Sequence, residues 1–491
     1  AGIQVEEVAS ESHPGAHDRN GAPGGASTDT KESSLNVDAS LFRAYDIRGI
    51  VGSGLTLEGV TAIGRSIGSE AAARGCTQVV VGRDGRLSSP ELAEALMQGL
   101  QTAGRHVIAI GPVPTPVMYF ATHHLGTGTG VALTGSHNHP EYNGMKVMIA
   151  GETLSGDAIT GLWQRLQNGD LITGEGSVTQ RDVVNDYVEA VAGDITLHRP
   201  LRVVVDAGNG VAGDLGPRVL RAIGCDVEPL YCEIDGNFPN HHPDPSDPEN
   251  LEAMIRLVRL RQADVGLAFD GDGDRLGVVD SQGKIIWADR QMMAYAADVL
   301  TRHPGADIVF DVKCSSQLAQ VITANAGVPV MWRTGHSLIK GKLKASGAPL
   351  AGEMSGHIFF NDRWPGFDDG IYTAARLLEI LSMDGRTSAA FFAELPEAVS
   401  TPELKVHLDE GEPPQVIERL VAAADFPDAR VTTIDGLRVD FADGWGLVRS
   451  SNTTPCLVLR FEGDDDNALE HIKSRFRNLL LEARPGLELP F

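Results

Sequence analysis

The sequence has little cysteine, a shortage of positive charge and no long apolar run. Nowhere do ~18 consecutive apolar residues occur, the length that would suggest a membrane-spanning helix, so no membrane span is expected. Lysine and arginine total 41 against 66 aspartates and glutamates, for a net charge of −25. Phosphate backbones attract basic surfaces, so this balance argues against nucleic acid as a general partner. It leaves room for a small anionic substrate, because a local cluster of cations can reverse the field inside a cleft. The five cysteines (Cys76, Cys225, Cys232, Cys314 and Cys456) are scattered, odd in number and form no CxxC pair. Such usage fits reduced thiols, and the expected compartment is the cytoplasm. Residues 1–37 have little apolar periodicity and are rich in Gly, Ser, Ala, His and Glu; they read as a disordered leader or linker with no signal-peptide core. The chain starts with Ala, and the expectation is that it was excised from something longer.

What is present is a repeat. The 491 residues leave room for several domains of ~100–200 residues, and a hydrophobic fraction of 42% can fill their cores. Val79–Val81 reads as a strand, followed by the turn 82–86, a helix with Leu92, Leu96 and Leu100, then Gly104 and a second strand, 107–110. The same order recurs with strand 203–205, turn 206–210, a helix carrying Leu215, Val219 and Ile223, Gly224 and strand 227–231. It recurs again with strand 308–311, a helix carrying Leu318 and Ile322, Gly327 and strand 328–332. Continuous β-branched runs suit strands covered on both faces, and strand–helix–strand recurrence suggests related α/β units. The last stretch departs from this pattern: strands are expected at 400–408, 430–442 and 455–462, and helices at 413–424 and 466–483. The expected fold is therefore three topologically related α/β domains around a cleft, plus a C-terminal α+β domain. Expected boundaries give 38–183, 184–283, 284–396 and 397–491, after the leader 1–37.

Residues 270–275 read Asp-Gly-Asp-Gly-Asp-Arg. Alternate side chains of an extended segment face one way, so Asp270, Asp272 and Asp274 can share a hard cation while the glycines let the backbone fold tightly. A calcium EF-hand also starts Asp-x-Asp-x-Asp, but its sixth position needs Gly where Arg275 stands, and its twelfth needs Glu where Ser281 stands. Magnesium is the natural ion where a phosphate supplies a ligand. The apolar run Val265–Phe269 places this loop at the C-terminal edge of a strand, where ligands of open α/β sheets sit. Far upstream, residues 134–146 hold Ser136 between Gly135 and His137, with Lys146 on the strand expected to follow. A serine in such a loop is by itself a turn residue or a helix cap; beside an acidic, metal-capable loop it becomes a candidate phosphoryl acceptor.

The loop 134–146, the loop 270–275, Gly352-Glu353-Met354-Ser355-Gly356-His357 and Arg449-Ser450-Ser451-Asn452-Thr453-Thr454-Pro455 together resemble the four signature loops of the α-D-phosphohexomutase family, in the family's order. The resemblance covers roughly residues 40–490, and Tyr45-Asp46-Ile47-Arg48-Gly49 and Gly335-His336-Ser337 point to the bacterial branch that handles glucose and mannose phosphates. It implies that Ser136 is a phosphoserine whose phosphate completes the metal shell of Asp270, Asp272 and Asp274, with Mg²⁺ as the ion. Arg275 and Lys146 would brace the transferring group, Glu353 and Ser355 would bind sugar hydroxyls with His357 beside them, and Arg449, Ser451, Asn452 and Thr453 would grip the second phosphate. Tyr45, Arg48, Lys313 and His336 would line the same cleft; His336 and Lys146 are both candidates for the general base. The implied substrates are glucose and mannose 1- and 6-phosphates, with glucose 1,6-bisphosphate as activator, and the enzyme is expected to be a monomer. His139 departs from the family's usual Pro. A phosphoglucosamine mutase is the nearest rival, but that branch carries Gln in place of Met354 and Gly in place of Asn452. A Mg²⁺-dependent phosphatase is a further rival; it would need neither the phosphate-accepting serine nor a bisphosphate.

Overall fold

The computed structural model describes residues 37–452 and 454–491. The expected leader lies outside the described residues apart from Val37, which is buried and accepts a hydrogen bond from Trp163 Nε1 at 3.0 Å. Three sheets share one plan. In the first, strand Gln78–Arg83 lies between two parallel partners, His106–Pro112 and Gly130–Leu133, and the latter pairs antiparallel with Tyr142–Ile149. In the second, Arg202–Asp206 lies between Asp226–Leu230 and Val265–Phe269, and the latter pairs antiparallel with Leu276–Asp280. In the third, Asp307–Asp311 lies between Val328–Trp332 and Leu350–Gly352, and the latter pairs antiparallel with Ile358–Phe360. The valines of the central strands are wholly buried, as expected where helices cover both faces.

Each repeat makes an antiparallel turn at the same place, after the parallel strand next to its centre, and that turn carries a signature loop. Residues 134–141 connect Gly130–Leu133 to Tyr142–Ile149, residues 270–275 connect Val265–Phe269 to Leu276–Asp280, and residues 353–357 connect Leu350–Gly352 to Ile358–Phe360. The loops are topological equivalents brought to one cleft.

A largely shared core joins the three units. At its centre lies the helix Gly370–Met383, buried over nearly its whole length, which explains its all-round apolar composition. The Asp369 side chain caps it by accepting from Tyr372 N at 2.9 Å. The C-terminal unit is an antiparallel sheet backed by the helices Glu412–Ala423 and Asp466–Ala483, with a core mostly its own. One strand there was not read from the sequence: Gly444–Ser450 pairs along Leu437–Phe441 and Cys456–Gly463. Its glycines hide the alternation. At Gly446 a Cβ would meet the Phe476 ring at 2.4 Å, so the residue that weakens the strand signal is the one that lets the helix lie against the sheet. Among the described residues, no helix is long and apolar enough to cross a membrane.

Candidate active site

Ser136, near the cleft floor, has φ 51°, a left-handed backbone that costs a non-glycine residue energy and needs support from its surroundings. The support comes from Asp84 and Arg86, in the turn after strand Gln78–Arg83. Arg86 is fully buried; its guanidinium donates to the carbonyls of Ser136 (2.9 Å), Asn138 (2.6 Å), His139 (2.6 Å) and Tyr142 (3.1 Å). Asp84 accepts from Thr134 Oγ1 at 2.9 Å and Gly135 N at 3.0 Å, and also pairs with Arg86. The sequence reading passed over this clamp as an ordinary turn; two opposite charges within one short turn at a strand's C-terminal end were the available signal.

The acidic loop packs directly beneath the serine loop. A Cβ on Gly271 would stand 2.1 Å from Ser136 O, so only glycine allows the two backbones this close. Ser136 Oγ lies 3.3 Å from Asp270 Oδ2, and one carboxylate oxygen from each of Asp270, Asp272 and Asp274 falls within 4.8 Å of the others. All three are wholly buried. Burial, and then the neighbouring carboxylates, push Asp270 well above the ordinary carboxyl range. Burial works the same way on Asp272, but the Lys146 ammonium outweighs it and holds this carboxyl below its usual value. Lys146 Nζ donates to Asp272 Oδ2 at 2.8 Å and to Asp274 Oδ2 at 2.5 Å. Burial opposes the charge on Lys146, yet these two partners raise its pKa well above normal, so it is a fixed cation. Asp272 Oδ1 and Asp274 Oδ1 are buried and have no hydrogen-bond partner among the described residues. Buried carboxylate oxygens left open, next to a hydroxyl, suit a small hard cation.

Around this floor the other two loops close a cavity of about 290 Å³. Tyr45, Arg48, Ser136, Lys146, Arg275, Lys313, His336, Glu353, Ser355, His357, Arg449, Ser451 and Asn452 all line it, so residues from every unit meet there. Thr453 lies outside the described residues. Asn452 Nδ2 reaches Tyr45 Oη across the mouth, linking the first and last units. Arg275 Nε donates to His357 Nε2 at 3.0 Å, and His357 Nδ1 lies 2.9 Å from Asp368 Oδ2. Glu353 accepts from Gly335 N at 2.5 Å, and burial raises its pKa. Lys313 pairs with Glu403 at 3.1 Å, and Arg449 Nε lies 3.1 Å from Asp435 Oδ2 while its Nη2 has no partner among the described residues. His336 is buried; burial first, then the Lys340 charge, hold it well below its ordinary pKa, so the ring is neutral near pH 7. Sequence reasoning missed Arg43, Asp244, Ser246, Glu403 and Lys405, which also line the cavity. None belongs to a signature loop, so no local pattern marked them.

Models of the phosphoglucomutase/phosphomannomutase α/β/α domains I, II and III match residues 39–172, 185–283 and 287–399, and the model of that family's C-terminal domain matches 403–479. The chain belongs to the phosphoglucomutase/phosphomannomutase family. This makes it an α-D-phosphohexomutase of the bacterial type, an enzyme of phosphoryl transfer within a sugar. It is 56% identical to the phosphomannomutase/phosphoglucomutase of Pseudomonas aeruginosa over 455 residues, covering 93% of this chain and 98% of the relative. It is 50% identical to a phosphoglucomutase of Neisseria gonorrhoeae, covering 93% of this chain and 99% of the relative. Among solved structures, a family protein from Burkholderia thailandensis superposes with TM-score 0.89 at 53% identity, covering 93% of this chain and 100% of that one.

Proposed function

We propose that the chain interconverts hexose 1-phosphates and hexose 6-phosphates of glucose and mannose, through a phosphorylated Ser136 and a 1,6-bisphosphate intermediate. The observation that carries this reading is the Ser136 hydroxyl 3.3 Å from Asp270 Oδ2, at the edge of a buried acidic triad and on the lining of a cationic cleft. Asp270, Asp272 and Asp274 would hold Mg²⁺, which when bound neutralises charge on the phosphoserine. Lys146 is anchored on Asp272 and Asp274, and Arg275 lies 3.9 Å from Asp270; both put fixed positive charge beside the serine, where a transferring phosphoryl group needs it.

In the first half-reaction the sugar's 6-hydroxyl attacks the phosphoserine. The phosphorus–Oγ bond breaks, and the hydroxyl proton passes to a base. His336 suits that role better than Lys146, because its imidazole is neutral near pH 7 and its Nδ1 has no hydrogen-bond partner among the described residues. Lys146, held as an ammonium by two carboxylates, has no lone pair to offer. The bisphosphate then turns over, and its 1-phosphate returns to Ser136 Oγ. Throughout, Arg449, Ser451 and Asn452 grip whichever phosphate is not reacting, a task for charge and hydrogen-bond donors. Glu353 and Ser355 bind vicinal sugar hydroxyls. Holding O3, O4 and phosphate leaves C2 unread, so both epimers fit. Glucose 1,6-bisphosphate would start the cycle by phosphorylating Ser136.

The test is ³¹P NMR of the enzyme with Mg²⁺, mannose 1-phosphate and a trace of glucose 1,6-bisphosphate. The 6-phosphate signal grows without inorganic phosphate, and Ser136→Ala abolishes sustained turnover. Release of inorganic phosphate would replace the mutase with a phosphatase, and normal turnover by the alanine variant would remove the phosphoserine.

A further inference from the structure

The helix Thr115–His124 of the first unit starts against the acidic loop of the second. A Cβ on Gly273 would meet Pro114 Cβ at 3.2 Å, so the two segments are in close contact. Thr115 is 2% exposed and binds Asp272 twice. Its backbone N donates to Asp272 O at 2.9 Å, and its hydroxyl donates to Asp272 Oδ2 at 2.6 Å. Lys146 Nζ donates to the same Oδ2 at 2.8 Å. Asp272 Oδ1 is buried and has no hydrogen-bond partner among the described residues.

The other two carboxylates are divided in the same way. Asp270 Oδ1 accepts from Arg275 N at 3.1 Å, while Oδ2 lies 3.3 Å from the Ser136 hydroxyl. Asp274 Oδ2 accepts from Lys146 at 2.5 Å. Its Oδ1 is buried, 3.6 Å from His357 Nδ1, and has no hydrogen-bond partner among the described residues. Each carboxylate therefore has one oxygen held by a protein donor and offers the other to an ion. Mg²⁺ takes single oxygens in a near-ideal octahedron and keeps several waters, whereas Ca²⁺ takes roughly six to eight oxygens and accepts carboxylates through both.

We propose that Thr115 is a positioning residue that selects the ion. By holding Oδ2 it confines Asp272 to ligation through Oδ1 alone, which favours Mg²⁺ over Ca²⁺. Lys146 alone does not fix the carboxylate, because its ammonium is shared with Asp274 and acts as a point charge on a flexible stem. The hydroxyl is directional, and the helix that carries it is itself bonded to Asp272 O. Outer-shell hydrogen bonds to metal ligands are worth about 10–100-fold in metal affinity. The inference rests on the reading of the triad as a Mg²⁺ site.

Free Mn²⁺, counted by electron paramagnetic resonance over the metal-stripped full chain, reports binding without turnover, and Mg²⁺ and Ca²⁺ are ranked by how well they displace it. T115A removes the hydroxyl and keeps the backbone bond; T115S keeps both. In T115A, whose metal-free melting temperature shows it to be folded, the ratio of Mg²⁺ to Ca²⁺ affinity falls about tenfold or more, chiefly through weaker Mg²⁺ binding. T115V, which refills the space without a hydroxyl, moves the ratio the same way, and T115S holds it near the wild-type value. The proposal is overturned if the ratio in T115A and T115V equals that of the wild type, whether the affinities stay or fall together, or if T115S loses it as T115A does. Mn²⁺ bound by the wild type with an unchanged ratio in the variants removes only the role of Thr115; no Mn²⁺ bound by the wild type removes the metal reading of the triad with it.

Discussion

Arg86 does not line the cavity, yet it holds the loop that carries Ser136, and Arg86→Ala isolates that role. The substitution removes four hydrogen bonds to the carbonyls of the serine loop and leaves Asp84 buried without its charged partner. Breaking a buried ion pair by deleting one member costs about 3–5 kcal/mol. Part of that appears as a lower melting temperature. The rest appears at Ser136, whose positive φ the clamp no longer enforces. A displacement of the nucleophile by about 1 Å is worth about 10²-fold in rate. We expect kcat to drop by about that factor in a coupled assay of glucose 6-phosphate formation, with KM nearly unchanged, because the residues proposed to grip sugar and distal phosphate are untouched. Arg86→Lys recovers little, since one ammonium cannot span four carbonyls. Wild-type kcat in Arg86→Ala, or a loss confined to KM, would refute the clamp.

Three further expectations follow from the site and its surroundings. Arg449→Ala should raise KM about 10–150-fold, the equivalent of about 1.5–3 kcal/mol for a charged hydrogen bond, and equally for glucose and mannose phosphates; a change specific to one sugar would show that this loop reads the ring. Chelation should abolish turnover and added Mg²⁺ restore it, since Asp272 Oδ1 and Asp274 Oδ1 are buried without a hydrogen-bond partner among the described residues; full activity in a metal-free preparation, verified by elemental analysis, would contradict the triad's role. Burial pushes the Asp369 carboxyl from 3.8 up to about 7. The folded chain therefore holds this proton between about pH 4 and 7 while the unfolded chain does not, so this group's contribution to stability falls as pH rises through that window. At about 1.4 kcal/mol per pH decade the loss is ~4 kcal/mol. Urea midpoints at pH 5 and pH 7.5 should converge in Asp369→Asn, which keeps the helix cap; parallel wild-type and variant curves would show that Asp369 is already ionised at pH 5.

The reactive groups of the serine loop and the acidic loop were legible from residue type, because each is a short contiguous string whose hydroxyl or carboxylates limit what it can bind; loops 352–357 and 449–455 stood out only through the family resemblance. Strand–helix–strand recurrence was legible for the same local reason: continuous valine runs and four-residue leucine spacing record burial within one element. Strand Gly444–Ser450 was not, because Gly446 serves a helix packed on top of it and carries no side chain to register a face. Arg86 was passed over because the carbonyls it holds, that of Ser136 among them, lie about fifty residues downstream. Sequence determined the inventory of reactive groups and their order in three repeats. Tertiary structure decided that the equivalent antiparallel turn of each repeat opens into one cleft, that Lys146 is a fixed cation and that the His336 imidazole is neutral. Those properties belong to distances between residues far apart in the chain, and protonation in particular is set by burial and neighbouring charge, which no local pattern encodes.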